Sequence, residues 1–502
     1  MPKHTETRRH FLKKIGFLST TLATASLAGC INGITAKTPA GRPNFVFFLV
    51  DDLGWTDLGC CGSSFYETPN IDKLAAEAMR FTDAYAACPV CSPTRASIMA
   101  GKYPARMDTT DYFGAAQPEH WKRNTPLIPA HYNNKLPLEE ITIAEALKQA
   151  DYNTFFAGKW HLGGKAEYWP EHQGFDVNKG GWSRGGPYGP GKYFTPYGNP
   201  RLEDGPKGEH LPDRLATEAV KFIKDNKDKP FLTYLSFYSV HTPLVSRDDL
   251  KQKYREKKNK LGLKAEWGTE GKRKVRLIQE HAVYAGMIDA MDRACGKVLK
   301  TLKQLGLDDN TVVFFMSDNG GLSTSEGHPT SNLPLRGGKG WLYEGGIREP
   351  MFVKWPGVTK PSSLCAEPVI STDFYPTMLE MAGLDPLPKQ HVDGTSLVPL
   401  LKGKKSLNRK AIYWHYPHYG NQGGFPGGAI RMGDYKLIEN YKDNSLQLYN
   451  LKEDIGEKNN LAEKMPQKVD TLRAMLHKWR KETDAKMPTK NPNWTKAEAK
   501  TT

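Results

Sequence analysis

Three continuous apolar runs, each closing on Asp, Asn or His, predict an α/β fold with a mostly parallel central sheet sandwiched by helices. Residues 44–50 (NFVFFLV) lead into Asp51-Asp52, residues 231–237 (FLTYLSF) into Ser239-Val240-His241-Thr242-Pro243, and residues 311–316 (TVVFFM) into Ser317-Asp318-Asn319. A strand apolar at every position is buried on both faces, as strands of a parallel sheet are. Helical patterns over 70–80, 141–150, 213–225 and 281–304 separate the runs, and this alternation is the signature of helices packed on such a sheet. In open α/β sheets the crevice beyond the strand C-termini holds the ligand. All three runs deliver polar residues there.

In chain order, residues 1–29 read as a signal peptide. Thr7-Arg8-Arg9-His10-Phe11-Leu12-Lys13 has the twin-arginine form, and the apolar stretch after it is shorter than the roughly 20 residues of a membrane span. Leu27-Ala28-Gly29-Cys30 resembles a bacterial lipobox, which would make Cys30 the lipidated first residue of the mature chain. The expected location is the periplasm or the cell surface, with membrane contact only through that lipid. A spacer covers 30–42 and the main α/β domain 43–404. A C-terminal subdomain, a small antiparallel sheet with one helix over 466–482, fills 405–484, and a polar tail runs over 485–502. The Gly- and Pro-rich segment 178–210 reads as a long surface loop, and such loops in compact domains are often functional. Seven cysteines, one of them in the lipobox, do not read as a disulfide framework.

The chain carries 70 Lys and Arg against 55 Asp and Glu, a formal charge of +15. Residues 1–29 hold five basic groups and one acidic, so +11 would remain without them. The excess concentrates in 251–276, with eleven basic residues against three Glu. That segment is either a solvated insertion or a rim that attracts a polyanion by its field. Nucleic acid is not the expected partner, because no helix-turn-helix, zinc-finger or RNA-binding signature is present.

Asp51, Asp52, Asp318 and Asn319 offer hard oxygen ligands at the ends of two buried strands. Adjacent carboxylates repel unless a cation lies between them, and oxygen-only ligation suits Ca²⁺, or less well Mg²⁺, over Zn²⁺. Lys159 and His161, two apart in GKWHLG, would point the same way from an extended segment. His241 and Lys339 add further nitrogen groups. Together they would line a pocket for a tetrahedral oxyanion ester. In CPVCSPTRASIMAGKYPAR, residues 88–106, either Cys88 and Cys91 form a CxxC pair or Cys91 alone opens a Cys-x-Pro-x-Arg element.

These stretches resemble the type I, formylglycine-dependent sulfatases of the alkaline-phosphatase superfamily. FFLVDDLG, CSPTRASIMAGKYPAR, GKWHLG, SVHTP, FFMSDNGG and PLRGGKGWLYEGGIREP stand in the family's order, and LQLYNLKEDIGEKNNLAE resembles its closing subdomain. The likeness covers residues 43–480 and implies an alkaline-phosphatase-like sandwich and a sulfuric ester hydrolase. It implies that a maturation enzyme converts Cys91 to Cα-formylglycine (3-oxoalanine), whose hydrate supplies the nucleophile. It further implies that Asp51, Asp52, Asp318, Asn319 and the modified Cys91 hold Ca²⁺. Arg95 would orient the nucleophile, Lys159, His241 and Lys339 would bind sulfate oxygens, and His161 would act as base. Either His241 or Lys339 would protonate the leaving alcohol.

The resemblance is nearest to bacterial sulfatases of sulfated polysaccharides, of algal galactan, ulvan or glycosaminoglycan type. Trp182, Arg184, Trp414, His415, His418 and Arg431 are the candidate sugar contacts. The competing readings are a phosphonate or phosphate ester hydrolase of the same superfamily, a glycan-binding lipoprotein in which Cys91 is never converted, and a Cys88–Cys91 redox pair.

Overall fold

Alternate residues of the first strand, β1 (Asn44–Val50), enter two different hydrophobic clusters. Phe45, Phe47 and Leu49 pack into one, while Val46, Phe48 and Val50 pack into the other. A strand with no polar face must lie between two layers, and β1 is central in an eight-stranded sheet. The computed structural model describes residues 41–495. The signal peptide, Cys30 and the end of the polar tail lie outside the described residues.

The other strands are β2 (Met79–Phe81), β3 (Asn153–Gly158), β4 (Val177–Lys179), β5 (Phe231–Ser236), β6 (Thr311–Ser317), β7 (Met351–Lys354) and β8 (Ser363–Cys365), in the order β8-β2-β7-β6-β1-β5-β3-β4. From β6 through β4 the pairing is parallel. β7 runs antiparallel to both its neighbours. The expected mostly parallel sheet is present. β3 is a central strand that the apolar-run criterion passes over, because NTFFAG holds four polar or small residues in six.

Helices α1 (Pro69–Glu77), α2 (Cys91–Ala100), α3 (Ile143–Lys148), α4 (Leu211–Asp225), α5 (Asp248–Lys260), α6 (Ala282–Gln304) and α7 (Phe374–Met381) follow in chain order. α2, α3 and α7 cover one face of the sheet and α1, α4 and α6 the other. Local chemistry sets their ends. α3 starts at a capping box, Thr142 with Glu145. α1 stops at Glu77 rather than residue 80, since Ala78 is extended and residues 79–81 form β2. Residues 180–210 form no helix or strand beyond isolated bridges.

The basic segment 251–276 forms most of α5 and a hairpin of Trp267–Glu270 with Arg273–Arg276. Much of its charge is met locally, Lys253 and Lys257 by Glu67 and Lys258 by Glu280. The solvated reading therefore accounts for much of it. Among the described residues no helix is long and apolar enough to cross a membrane.

Four antiparallel strands, β9 (Ile412–Tyr416), β10 (Gly427–Met432), β11 (Tyr435–Asn440) and β12 (Leu446–Asn450), form a second sheet with α8 (Pro466–Glu482) against it. The apolar piece 429–439 breaks into a hairpin at Gly433, which has φ +57°. The cluster beneath this sheet takes in Tyr85, Ala87 and Val90, the stretch that leads into α2.

Four of the candidate sugar contacts belong to this packing, a correction to the sequence reading. Trp414 is 1% exposed and donates its indole N–H to the Ala86 carbonyl at 2.8 Å. His415 has both ring nitrogens engaged, with the Tyr441 hydroxyl and the Lys486 carbonyl. His418 is buried against Thr110 and Asp111, and Arg431 is buried against Asp83 and Tyr85. None of the four presents a free surface to a sugar. Trp414→Ala should cost about 3–5 kcal/mol of stability, seen as a lower denaturation midpoint, with the KM of the folded fraction unchanged.

Candidate active site

The parallel register of β1 and β6 sets Val50 beside Ser317, so the residues that follow each strand converge. The Asp318 N–H donates to the Val50 carbonyl at 3.0 Å, and the Asp52 N–H to Asp318 Oδ1 at 3.2 Å. Asp51, Asp52 and Asp318 are fully buried, with ligand oxygens all within 4.8 Å of one another. Asp51 Oδ1 and Asn319 Oδ1 are buried acceptors without a hydrogen-bond partner. Orphaned oxygens beside clustered carboxylates fit a hard divalent cation. Burial drives the Asp51 carboxyl well above its ordinary range, opposed by Lys159 and reinforced by Asp318 and Asp52. Burial pushes Asp52 the same way, but Lys339, His241 and Lys159 together hold it below the usual carboxylate range.

Three cations face the three carboxylates. Lys159 Nζ lies 2.6 Å from Asp51 Oδ2, Lys339 Nζ 2.8 Å from Asp52 Oδ1, and Arg95 Nε 2.7 Å from Asp318 Oδ2. Arg95 Nη1 also donates to the Lys159 carbonyl at 2.7 Å and to Ser236 Oγ at 2.6 Å. One guanidinium thus ties the ends of β3, β5 and β6 together. Arg95 reaches them because it lies one turn after Cys91 on α2, all ten residues of which are buried. Pro93 is tolerated there, since the first four helical N–H groups have no intrahelical acceptor.

Cys91 opens α2 with Sγ 3.5 Å from His161 Nδ1, and Ser92 Oγ lies 3.1 Å from the same nitrogen. His161 Nε2 donates to the Phe113 carbonyl at 2.8 Å, so Nδ1 is the acceptor that faces Cys91. Burial, with Lys159 next, drives the His161 pKa well below its ordinary value and leaves the ring neutral. Lys159 and His161 do share the site, though not from an extended segment. β3 ends at Gly158 (φ +99°), where a Cβ would stand 1.8 Å from the Ser236 carbonyl, and His161 has φ +57°. The turn, rather than strand alternation, aims both side chains inward.

Cys88 is buried apart from this group, its thiol directed at the Thr110 carbonyl 3.8 Å away. Cys88 and Cys91 are both free thiols, so no disulfide joins the CxxC pair.

A cleft of about 590 Å³ opens over Cys91, His161, His241 and Lys339. His241 Nδ1 donates to the Thr242 carbonyl at 2.7 Å, which turns Nε2 toward Asp52, 3.7 Å away. Burial, then Lys339, lowers the His241 pKa to about 4. Arg184 is exposed at the rim, its guanidinium 5.0 Å above the Trp182 ring and Nη1 donating to the Tyr188 carbonyl at 3.3 Å. Trp182 supports Arg184 from behind the cleft, and its carbonyl accepts the His161 N–H at 3.1 Å. Ser92, Tyr112, Phe113, Tyr188, Glu326 and Gln422 also belong to the site. Sequence reasoning passes over them because each is an isolated residue in a loop or helix turn, without a spacing that signals chemistry.

The family model described as "Sulfatase" matches residues 43–384, and that described as "N-sulphoglucosamine sulphohydrolase, C-terminal" matches residues 338–485. A "Sulfatase" of Formosa agariphila is 34% identical, over 89% of this chain and 89% of its own. The steryl-sulfatase of Rattus norvegicus is 30% identical, over 78% of this chain and 76% of its own. The solved structure of Ps i-CgsB superposes with a TM-score of 0.73 at 30% identity, over 90% of this chain and 94% of that one. The same protein is also solved in complex with k-i-k-neocarrahexaose.

The donor set gives a direct test. Ca²⁺ at a hundredfold excess over its Kd should stabilise the protein by about 2.7 kcal/mol, read as a rise in melting temperature that a chelator reverses. Mg²⁺ should give a smaller rise, and Asp318→Asn should abolish the Ca²⁺ increment.

Proposed function

The chain belongs to the sulfatase family of the alkaline-phosphatase superfamily, a family of sulfuric ester hydrolases, and on that premise we propose that it removes sulfate from sulfated carbohydrates with Cys91, once oxidised, as its nucleophile. The observation that carries the reading is Cys91 at the start of a buried helix, facing an acceptor nitrogen of His161, beside a cluster of three carboxylates and three cations. Asp51, Asp52, Asp318 and Asn319 would hold a divalent cation, Ca²⁺ by their oxygen-only chemistry. It would offset the carboxylate charge and polarise the nucleophile's oxygen. Cys91 oxidised to formylglycine would supply, as its hydrate, an oxygen nucleophile and a way to release sulfate that a plain Ser or Cys ester lacks.

The remaining work falls to residues already in place. Arg95 fixes Asp318 and the Lys159 backbone, and so the position of the nucleophile's surroundings. Lys159 and Lys339 would bind the sulfate oxygens, where positive charge stabilises the developing transition state. His161 Nδ1 is placed to take a proton from the group at position 91. The leaving alcohol needs a donor that carries a proton toward the cleft. His241 keeps its proton on Nδ1, bonded to Thr242, and leaves Nε2 an acceptor, so Lys339 is the donor we favour of the two.

A carbohydrate suits the leaving-group side better than a sterol. Arg184, Ser183, Asn421, Gln422 and Thr242 line the cleft and offer hydrogen bonds beside the rings of Tyr112, Phe113 and Tyr188. Ps i-CgsB is solved with an oligosaccharide, in keeping with this. The twin-arginine form at 7–13 and the likeness of 27–30 to a lipobox support a location in the periplasm or at the cell surface.

Mass spectrometry of the peptide spanning Cys91, from protein made beside a maturation enzyme, should show the aldehyde, and an unmodified thiol in active protein would overturn the mechanism. Cys91→Ala should lose activity by at least about a thousandfold, whereas Cys88→Ser should stay within a few-fold of the parent. Arg184→Ala should raise KM on sulfated oligosaccharides about tenfold, an interaction of roughly 1.4 kcal/mol, and leave KM for an aryl sulfate unchanged. A preference for phosphate over sulfate esters would sink the sulfuric ester reading.

A further inference from the structure

Glu326 is an acidic residue in a pocket built for an anion. It lies in the loop between β6 and Lys339 with φ +51°, and Gln422 Nε2 donates to its Oε1 at 2.6 Å. Its Oε2 stands 4.0 Å from Lys339 Nζ, 4.0 Å from His241 Nε2 and 3.5 Å from Thr242 Oγ1. The same cleft is lined by Cys91 and His161. A carboxylate held there by an oriented amide weakens anion binding, and nothing in the catalytic roles assigned above uses it.

We propose that Glu326 tunes the pocket to esters of single negative charge, so that a monoanionic sulfate ester is admitted while dianions are disfavoured. The inference rests on the sulfuric ester reading above and deepens it. Arg95, Lys159 and Lys339 balance Asp51, Asp52 and Asp318. A divalent cation would leave the pocket at +2, and Glu326 brings it to +1. A sulfate monoester carries one negative charge, while a phosphate monoester carries two above its second pKa of about 6. One fixed negative charge near the bound anion opposes a dianion twice as strongly as a monoanion.

The same charge acts on the product. In hydrolysis water supplies the new oxygen on sulfur, the bond from sulfur to the alcohol oxygen breaks, and the alcohol takes one proton while the other is released. A monoanion becomes sulfate, a dianion, which Glu326 then helps to expel. Asp52, His241 and Glu326 also come close enough to suggest a second metal site. The Lys339 ammonium, 2.8 Å from Asp52 and 4.0 Å from Glu326, already serves as the cation of that trio.

The test is equilibrium binding by calorimetry at pH about 8, above the second pKa of about 6 for a phosphate ester. It uses Ca²⁺-loaded Cys91→Ser protein with and without Glu326→Gln. The probes are 4-nitrophenyl sulfate, 4-nitrophenyl phosphate and inorganic sulfate. In the Gln variant the two dianions should tighten on the order of tenfold more than the sulfate ester. Glu326→Asp keeps the charge and should keep the discrimination, which separates charge from local packing. Equal changes for all three probes, or the same loss of discrimination in Asp and Gln variants, would overturn the proposal. The aryl group is common to both esters, so an error about the sugar does not alter the ratio. Failure of the sulfuric ester reading would appear separately, as no turnover of the sulfate ester by the enzyme with Cys91 intact.

Discussion

Three buried carboxylates at the ends of two paired strands set the terms for everything around them. Asp51, Asp52 and Asp318 are held together by the β1–β6 ladder, which hydrophobic packing on both sheet faces fixes. Their mutual repulsion in a low-dielectric setting is severe unless it is balanced. Lys159, Lys339 and Arg95 each meet one of them. Each comes from a different part of the chain, so the charge balance also specifies how β3, α2 and the loop around residue 339 must dock. The orphaned oxygens on Asp51 and Asn319 fit the further cation proposed above.

Much of this was legible in the sequence because strand burial and site position share a cause. A central strand of a parallel sheet is apolar throughout, and the crevice begins where the apolar run stops, so NFVFFLV-DD and TVVFFMS-DN announce both at once. The criterion fails at β3, whose Asn153, Thr154 and Gly158 break the run, although Lys159 and His161 follow it directly. Their convergence depends on a left-handed turn that no alternation rule describes.

The candidate sugar contacts were the least legible, for a physical reason. Tryptophan, histidine and arginine each pair a large apolar body with a polar tip, which suits a sugar platform and a buried junction equally. Trp414 spends its indole N–H on the Ala86 carbonyl and His415 spends both nitrogens on protein partners, and neither bond leaves a trace in the sequence. Arg184 differs in that its surroundings leave it exposed on Trp182 at the cleft rim. Glu326 was invisible for the opposite reason, since a lone acidic residue in a polar loop resembles any solvated carboxylate.

All ten residues of α2 are buried, Cys91 among them at 3% exposure; its apolar side packs into the cluster on one sheet face, while Val90 just before it joins the C-terminal subdomain's cluster. On the proposed function, an enzyme that oxidised Cys91 while holding Arg95 would have to act before Arg95 is locked between Asp318 and Ser236. Such a conversion would carry a deadline set by folding itself. The segment around Cys91 would have to be presented while the strand ends are still apart, because the act that completes the carboxylate cluster also buries α2 and leaves Cys91 only the cleft it shares with substrate.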